Sequence, residues 1–263
     1  MEPFTVRGVE FNNEKMVLCG TISGREEEEL LLEAKKLLNQ GAEMLEWRAD
    51  VFLERFQKDR APEELKQLSL EVAGKLRTLV KEVPLLVTLR RKEEGGYFSG
   101  DAETYCGIVS SLAEGKIPDL IDVEASIGEY EREKLIEYIH GKDILVITSC
   151  HIIQRGMEND LPRQEIRKAV DALEHSKGDI LKLACMVETL EEAEDFSAMM
   201  KSEKGIWSRK PHVLIAMGEA GVQSRYDRKW GGSCMTFGAG TNAAAPGQLA
   251  MAELKKMCYT FTE

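Results

Sequence analysis
A lysine stands where the chain is otherwise apolar. Lys182 lies inside Asp179–Cys185 (DILKLAC), flanked by Ile180, Leu181, Leu183 and Ala184. Burying an ammonium there is costly. Burial and neighbouring cations pull a lysine below its ordinary value of about 10.4, which leaves a nucleophilic amine for a carbonyl substrate. A structural ion pair with a carboxylate such as Glu46 or Glu124 explains the same residue. His151 follows the apolar run Asp143–Cys150 (DILVITSC). An imidazole there can act as general acid and base, and a hydrogen-bonded loop histidine is the plain alternative. The other histidines suggest less: His140 and His175 sit at helix ends, where the dipole favours them, and His212 opens a strand.

Arginines and carboxylates interrupt other apolar runs. Glu46 and Arg48 (EWR) are two residues apart, so they share one face of a strand; an internal salt bridge is the alternative reading. Arg90 ends PLLVTLR, Glu94 follows in TLRRKEEGG, and Arg225 closes GVQSR. Three arginines gathered at one rim would bind a carboxylate by bidentate hydrogen bonds; a solvated rim explains any one of them alone. Asp122 and Glu124 form D-x-E. With Glu46 and His151 they could ligate a divalent metal, and as buried partners of Lys182 or Arg48 they need none. The stretch FGAGTNAAAPG only loosely matches a dinucleotide fingerprint, because too little chain follows for the rest of the unit. It reads better as a loop over a site. The acidic run Glu26–Glu29 reads as a helix start.

Something must bring these residues together, and the alternation of elements supplies it. Eight β-rich runs are visible: Met16–Ile22, Ala42–Arg48, Pro84–Arg90, Asp119–Glu124, Asp143–Cys150, Asp179–Cys185, His212–Gly218 and Ser233–Gly238. A helical pattern follows each, at about Glu26–Gln40, from Pro62, at Ala102–Leu112, Glu131–His140, Pro162–His175 and Leu190–Lys201, as a short segment at Glu219–Arg225, and at Pro246–Met257. Strict alternation implies parallel strands joined by crossover helices, and runs apolar on both faces fit a sheet covered on both sides. Eight such units predict an α/β fold of the (β/α)8 TIM-barrel type, with an open doubly wound sheet as the runner-up. Phe4–Phe11 is expected to form a short hairpin closing the barrel bottom. The expectation is one domain over 1–263. In a barrel the chemistry gathers at the C-terminal ends of the strands, where most of the residues above fall.

Lys+Arg total 35 against 46 Asp+Glu, a net charge of −11, which argues against a nucleic-acid binder but not against a small anionic substrate. The start MEPFTVRGVEF lacks a secretory pattern, and no apolar run approaches a membrane span of about 18–20 residues. The 6 cysteines contain no C-x-x-C pair, as expected of a reduced, cytoplasmic protein.

Several segments together resemble the type I 3-dehydroquinate dehydratase family: EWRAD at 46–50, TLRRKEEGG at 88–96, IDVE at 121–124, SCH at 149–151, LKLACM at 181–186, GVQSR at 221–225 and TFGAGTNAAAPGQ at 236–248. They cover nearly the whole chain and are jointly specific. The resemblance implies that Lys182 forms an imine with the ketone of 3-dehydroquinate, that His151 is the general base and acid, and that Glu94 assists it. By the same resemblance Glu46 and Arg48 contact hydroxyls and substrate, Arg90, Arg225 and Gln248 lie around the carboxylate and the closing loop, and Thr21 stands where the family often has Ser or Pro. A homodimer is implied too. The chain departs from the family at Ala244, where a Ser is usual, and at Ile152-Ile153, where Asp-Phe usually follows the histidine. A lost hydroxyl contact would cost roughly 0.5–1.5 kcal/mol of affinity.

The chemistry that follows is dehydration of 3-dehydroquinate to 3-dehydroshikimate. The imine is its own electron sink, so neither a metal nor an organic cofactor is expected. Two other readings use the same residues: a class I aldolase, which would need a phosphate site, and a non-catalytic barrel that binds quinate-like ligands.

Overall fold
The structure is a computed structural model that describes residues 3–12, 15–155, 160–202 and 209–260. It opens with an antiparallel hairpin, β1 (Phe4–Val6) and β2 (Val9–Phe11). Its two-residue turn puts Arg7 and Gly8 at φ 46° and 82°, as the tight primed turns of hairpins require. Eight further strands follow: β3 (Val17–Ile22), β4 (Met44–Arg48), β5 (Leu85–Thr88), β6 (Leu120–Glu124), β7 (Leu145–Ile152), β8 (Ile180–Met186), β9 (His212–Met217) and β10 (Met235–Ala239). The helices are α1 (Glu27–Asn39), α2 (Ala49–Leu53), α3 (Pro62–Val80), α4 (Ala102–Glu114), α5 (Glu129–His140), α6 (Arg163–Glu174), α7 (Leu190–Ser202), α8 (Arg228–Gly231) and α9 (Met251–Thr260).

The eight strands pair in parallel in the order β10-β3-β4-β5-β6-β7-β8-β9. The two ends of that order meet. Cys234 N–H donates to His212 O at 2.8 Å. Ser233 Oγ accepts from Leu214 N–H at 2.9 Å and donates to Leu214 O at 3.2 Å. The sheet is therefore a nearly closed (β/α)8 TIM barrel and not an open doubly wound sheet. The helices form by the rules their sequences announce. In α1, Leu30, Ala34 and Leu37 are buried at helical spacing, and the Glu29 side chain accepts from Glu26 N–H. In α3, Pro62 takes the first position and Glu64 accepts from Ala61 N–H at 2.9 Å.

Alternation sorts each strand into two sets. Outward residues such as Leu45, Trp47, Val87, Ile121 and Val123 pack under the helices. Inward residues near the N-terminal ends, Val17, Cys19, Met44, Leu86, Leu120, Ile147, Ile180, Val213 and Met235, fill the barrel floor together with Val6 and Phe11 of the hairpin. Each such side chain stabilises the fold by about 1.5–3 kcal/mol. The hairpin thus closes the end of the barrel where the strands begin.

Most boundaries shift by a residue or two, β5 ending at Thr88 and not at Arg90, and two of the shifts bear on the site. β7 continues through His151 to Ile152, because His151 and Ile152 stay in register with Ala184 and Cys185 of β8. The last helix begins at Met251 and not at Pro246. Gly247 at φ 70° breaks the helical path, and a bridge between Ala239 and Ala250 holds the approach extended. The five-residue α2 carries no period in the sequence because all five of its residues are buried.

Candidate active site
The inward positions change character toward the C-terminal ends of the strands. Parallel register sets Thr21 beside Glu46, Arg48 beside Thr88, Thr88 beside Asp122, Glu124 beside Ser149 and Ser149 beside Lys182. One pocket at the barrel mouth is lined by nine sequence-derived candidates, Thr21, Glu46, Arg48, Arg90, Glu94, His151, Lys182, Arg225 and Gln248, while Asp122 and Glu124 lie outside its lining. His140, His175 and His212 lie elsewhere, bonded to Asp179, to Asp171 O and to Gly231 O.

Lys182 is 5% exposed. Its Nζ lies 3.9 Å from Asp122 Oδ2 and 4.1 Å from the ring centre of Phe237. Burial lowers its pKa from the ordinary value; Glu46 and Asp122 resist that, while Arg90 and Arg48 add to it. The amine is more readily freed of its proton than a surface lysine's.

His151 points into the same pocket from the neighbouring strand. Glu94 Oε2 accepts from its backbone N–H at 2.9 Å and stands 3.0 Å from Nδ1. With Glu94 ionised, Nδ1 carries the proton and Nε2 keeps its lone pair for the pocket. Burial first, then Arg90, Lys182, Arg48 and Arg225, holds the His151 pKa well below 6.5, so the ring is a neutral base at pH 7. Burial pushes Glu94 up to about 7, against the pull of Arg90.

The three arginines fall into two kinds. Arg48 Nε and Nη2 each donate to Asp50 at 2.8 Å, and Nη1 reaches Ala244 O at 3.2 Å. Burial works against its charge, but Asp50 and Glu46 together more than offset it and the pKa is raised. Arg90 donates to Glu124 at 2.7 Å, Ser149 at 2.8 Å and Asp122 at 3.0 Å. Burial is more than offset by those carboxylates, and its pKa is raised well above the ordinary value. Arg225 is different. It is 2% exposed, forms no ion pair among the described residues, and donates through Nη2 to Pro246 O at 2.7 Å. Its Nε is buried without a partner. Burial alone drags its pKa to about 10. A buried guanidinium lacking a countercharge is costly unless an anion comes to it.

The remaining candidates form a chain of hydroxyls. Thr21 and Thr88 donate to the two oxygens of Glu46, at 3.0 and 2.8 Å. Gln248 Nε2 donates to Thr21 Oγ1 at 3.0 Å, and Gln248 Oε1 accepts from Ala244 N–H at 2.8 Å. Glu46 is therefore bonded to threonines, and Arg48 to Asp50. The D-x-E pair serves Arg90, not Arg48. Among the described residues no cluster of three His, Cys, Asp or Glu is placed to hold a metal. Sequence reasoning missed Asp50, Thr88, Ser149 and Phe237. A step of two along the strand finds two of them, Ser149 from His151 and Thr88 from Arg90.

Fold and pocket together define a (β/α)8-barrel enzyme with a buried amine, an oriented histidine and a guanidinium without a countercharge in one mouth. The chain matches the family described as Type I 3-dehydroquinase over residues 18–263, and it belongs to that family. Similar relatives include the 3-dehydroquinate dehydratases of Listeria monocytogenes, 30% identical with 97% of this chain and 96% of that protein covered, and of Klebsiella pneumoniae, 29% identical with 96% of each covered. Among solved structures, the type I 3-dehydroquinate dehydratase from Clostridium difficile with covalently modified comenic acid superposes with a TM-score of 0.84 at 25% identity, covering 99% of this chain and 98% of that one.

Proposed function
We propose that the protein dehydrates 3-dehydroquinate to 3-dehydroshikimate through an imine on Lys182. One observation carries this reading: Lys182 and His151 open from adjacent strands into a pocket where Arg225 is buried without a countercharge. Lys182 Nζ adds to the ring ketone, and loss of water leaves a protonated imine. That cation withdraws electrons from the adjacent carbon, and His151 removes a proton there. The resulting enamine expels the β-hydroxyl, which leaves as water with the proton His151 returns. Hydrolysis of the remaining imine consumes one water and frees the amine, so the net loss is one water.

The supporting residues divide the binding work. Arg225, with Gln248, receives the substrate carboxylate. Glu46 and Arg48 hold ring hydroxyls, fixing the reacting carbon near His151, and Arg90, tied to Asp122 and Glu124, adds positive charge beside the carboxylate. Glu94 keeps His151 in the tautomer that accepts on Nε2. The charges of Arg48 and Arg90 are already matched by carboxylates, which leaves one guanidinium without a countercharge for one carboxylate. That fits a monoanion better than the dianionic phosphate an aldolase would take.

The whole of 1–263 acts in this reading as one catalytic domain. Six free cysteines suit a reducing cytoplasm, among the described residues no helix is long and apolar enough to cross a membrane, and family membership favours a homodimer.

The test is reduction with borohydride in the presence of 3-dehydroquinate, followed by peptide mapping. A stable adduct on Lys182, with enone absorbance appearing when borohydride is left out, is expected. Lys182→Ala should keep ligand binding and lose turnover. An unmodified Lys182 and no enone would overturn the assignment.

A further inference from the structure
The loop after β10 carries Ala244, Pro246 and Gln248 into the pocket, and something must set where it begins. Glu33 lies on the barrel-facing side of α1, 4% exposed, among Leu30, Ala34 and Leu37. A carboxylate so buried needs donors, and it takes them from two separate loops. Oε2 accepts from Ser23 N–H at 2.7 Å and Gly24 N–H at 3.0 Å, just past β3. Oε1 accepts from Thr241 N–H at 2.7 Å, just past β10. The approach is so close that a Cβ on Gly240 would fall 2.3 Å from Glu33 Oε1. The same two segments meet again inside the pocket, where Gln248 bonds Thr21.

We propose that Glu33 is a positioning residue that clasps the root of the 240–250 loop to the end of β3, and so sets the height at which Gln248 and Ala244 stand over the pocket. Glu33 does not line the pocket and touches no reacting atom. This extends the proposed dehydratase reading, because it is that reading's substrate the loop would cover. Loss of the clasp loosens the loop together with its internal turn bonds, and the cost falls on substrate capture more than on the imine chemistry at Lys182.

The design that tests it uses Glu33→Gln and Glu33→Ala, with hydrogen exchange on the free protein and steady-state kinetics. Gln keeps the volume but turns an NH2 group toward a backbone N–H, so a packing role predicts near-normal behaviour and a clasp predicts failure. The informative amides are those of Ala244 and Gln248. Their acceptors, Gln248 Oε1 and Ala245 O, lie inside the loop and are untouched by the substitution. Both variants should exchange faster there by about tenfold or more, with strand amides unchanged. Their KM should rise by about tenfold or more, with kcat within about threefold. Exchange at Ala244 and Gln248 that stays normal in Glu33→Gln overturns the clasp, whatever the kinetics. Faster exchange with unchanged KM overturns its bearing on substrate capture. Exchange needs no substrate, so a wild-type protein that forms no adduct on Lys182 removes the dehydratase reading and leaves the clasp judged by exchange alone.

Discussion
At the scale of single residues the pocket separates two acid–base groups by environment. His151 is surrounded by cations and stays neutral, whereas Glu94 is buried and titrates at about 7. The sign follows directly. Above about pH 7 Glu94 is ionised and holds the Nδ1 proton of His151; below it the carboxyl is protonated and the orientation is lost. The acid limb of kcat/KM should therefore fall near pH 7 and belong to Glu94. Glu94→Gln should lower the plateau by less than the roughly 100-fold a lost general base costs. It should also move the acid limb to well below 6.5, where His151 itself protonates. A pH–rate profile of both proteins reads this, and an unmoved limb in the variant refutes the assignment. Glu94 sits in a charged stretch and its role came only from the family resemblance, whereas His151, Lys182 and the arginines were legible because such residues are conspicuous in apolar runs. Their partners were not: whether Arg48 pairs with Glu46 or with Asp50 depends on the backbone turning into α2 directly after β4, which no periodicity announces.

At the scale of elements the loop over the pocket is set by glycine geometry. Gly247 has φ 70°, and a Cβ there would fall 2.3 Å from Gly218 O. Gly218 in turn donates its N–H to Pro246 O at 3.3 Å. Gly247→Ala forces an L residue into left-handed backbone, at about 1–2 kcal/mol. If that strain displaces the seated loop, KM should rise roughly 5- to 30-fold with thermal stability little changed. Steady-state kinetics beside a melting curve checks it, and a normal KM would mean the loop seats without this turn. The eight strands were readable because each is an apolar run bounded by turn residues and helix. The start of α9 was not, since Pro246 has the look of a first helical residue and it is the left-handed Gly247 and the bridge between Ala239 and Ala250 that remove that option.

At the scale of the whole molecule, closure of the barrel depends on one seam. Between β9 and β10 the hydroxyl of Ser233 serves both the N–H and the C=O of Leu214. Ser233→Ala leaves a buried N–H without its acceptor, a cost of about 1–3 kcal/mol. For a chain of this size that should lower the melting temperature by roughly 2–4 °C per kcal/mol. Calorimetry measures it, and an unchanged midpoint would mean the seam is held elsewhere. The number of strands could be counted in the sequence, but closure could not. Alternation is the same in an open sheet and a barrel, and the deciding contact joins the last two strands through a serine unremarkable in the sequence. The net charge of −11 also says nothing of the mouth, where Arg225 has no ion-pair partner among the described residues.

The hairpin at the N-terminal end has a bearing on traffic. Val6 and Phe11 stopper the barrel floor, so molecules come and go at the opposite face, beneath the 240–250 loop. Substrate entry, departure of the eliminated water, arrival of the hydrolytic water and exit of the enone share that doorway. In the proposed mechanism bulk water reaching the imine before elimination would return the ketone unchanged, so the cover that the loop gives the pocket bears on the order of the steps.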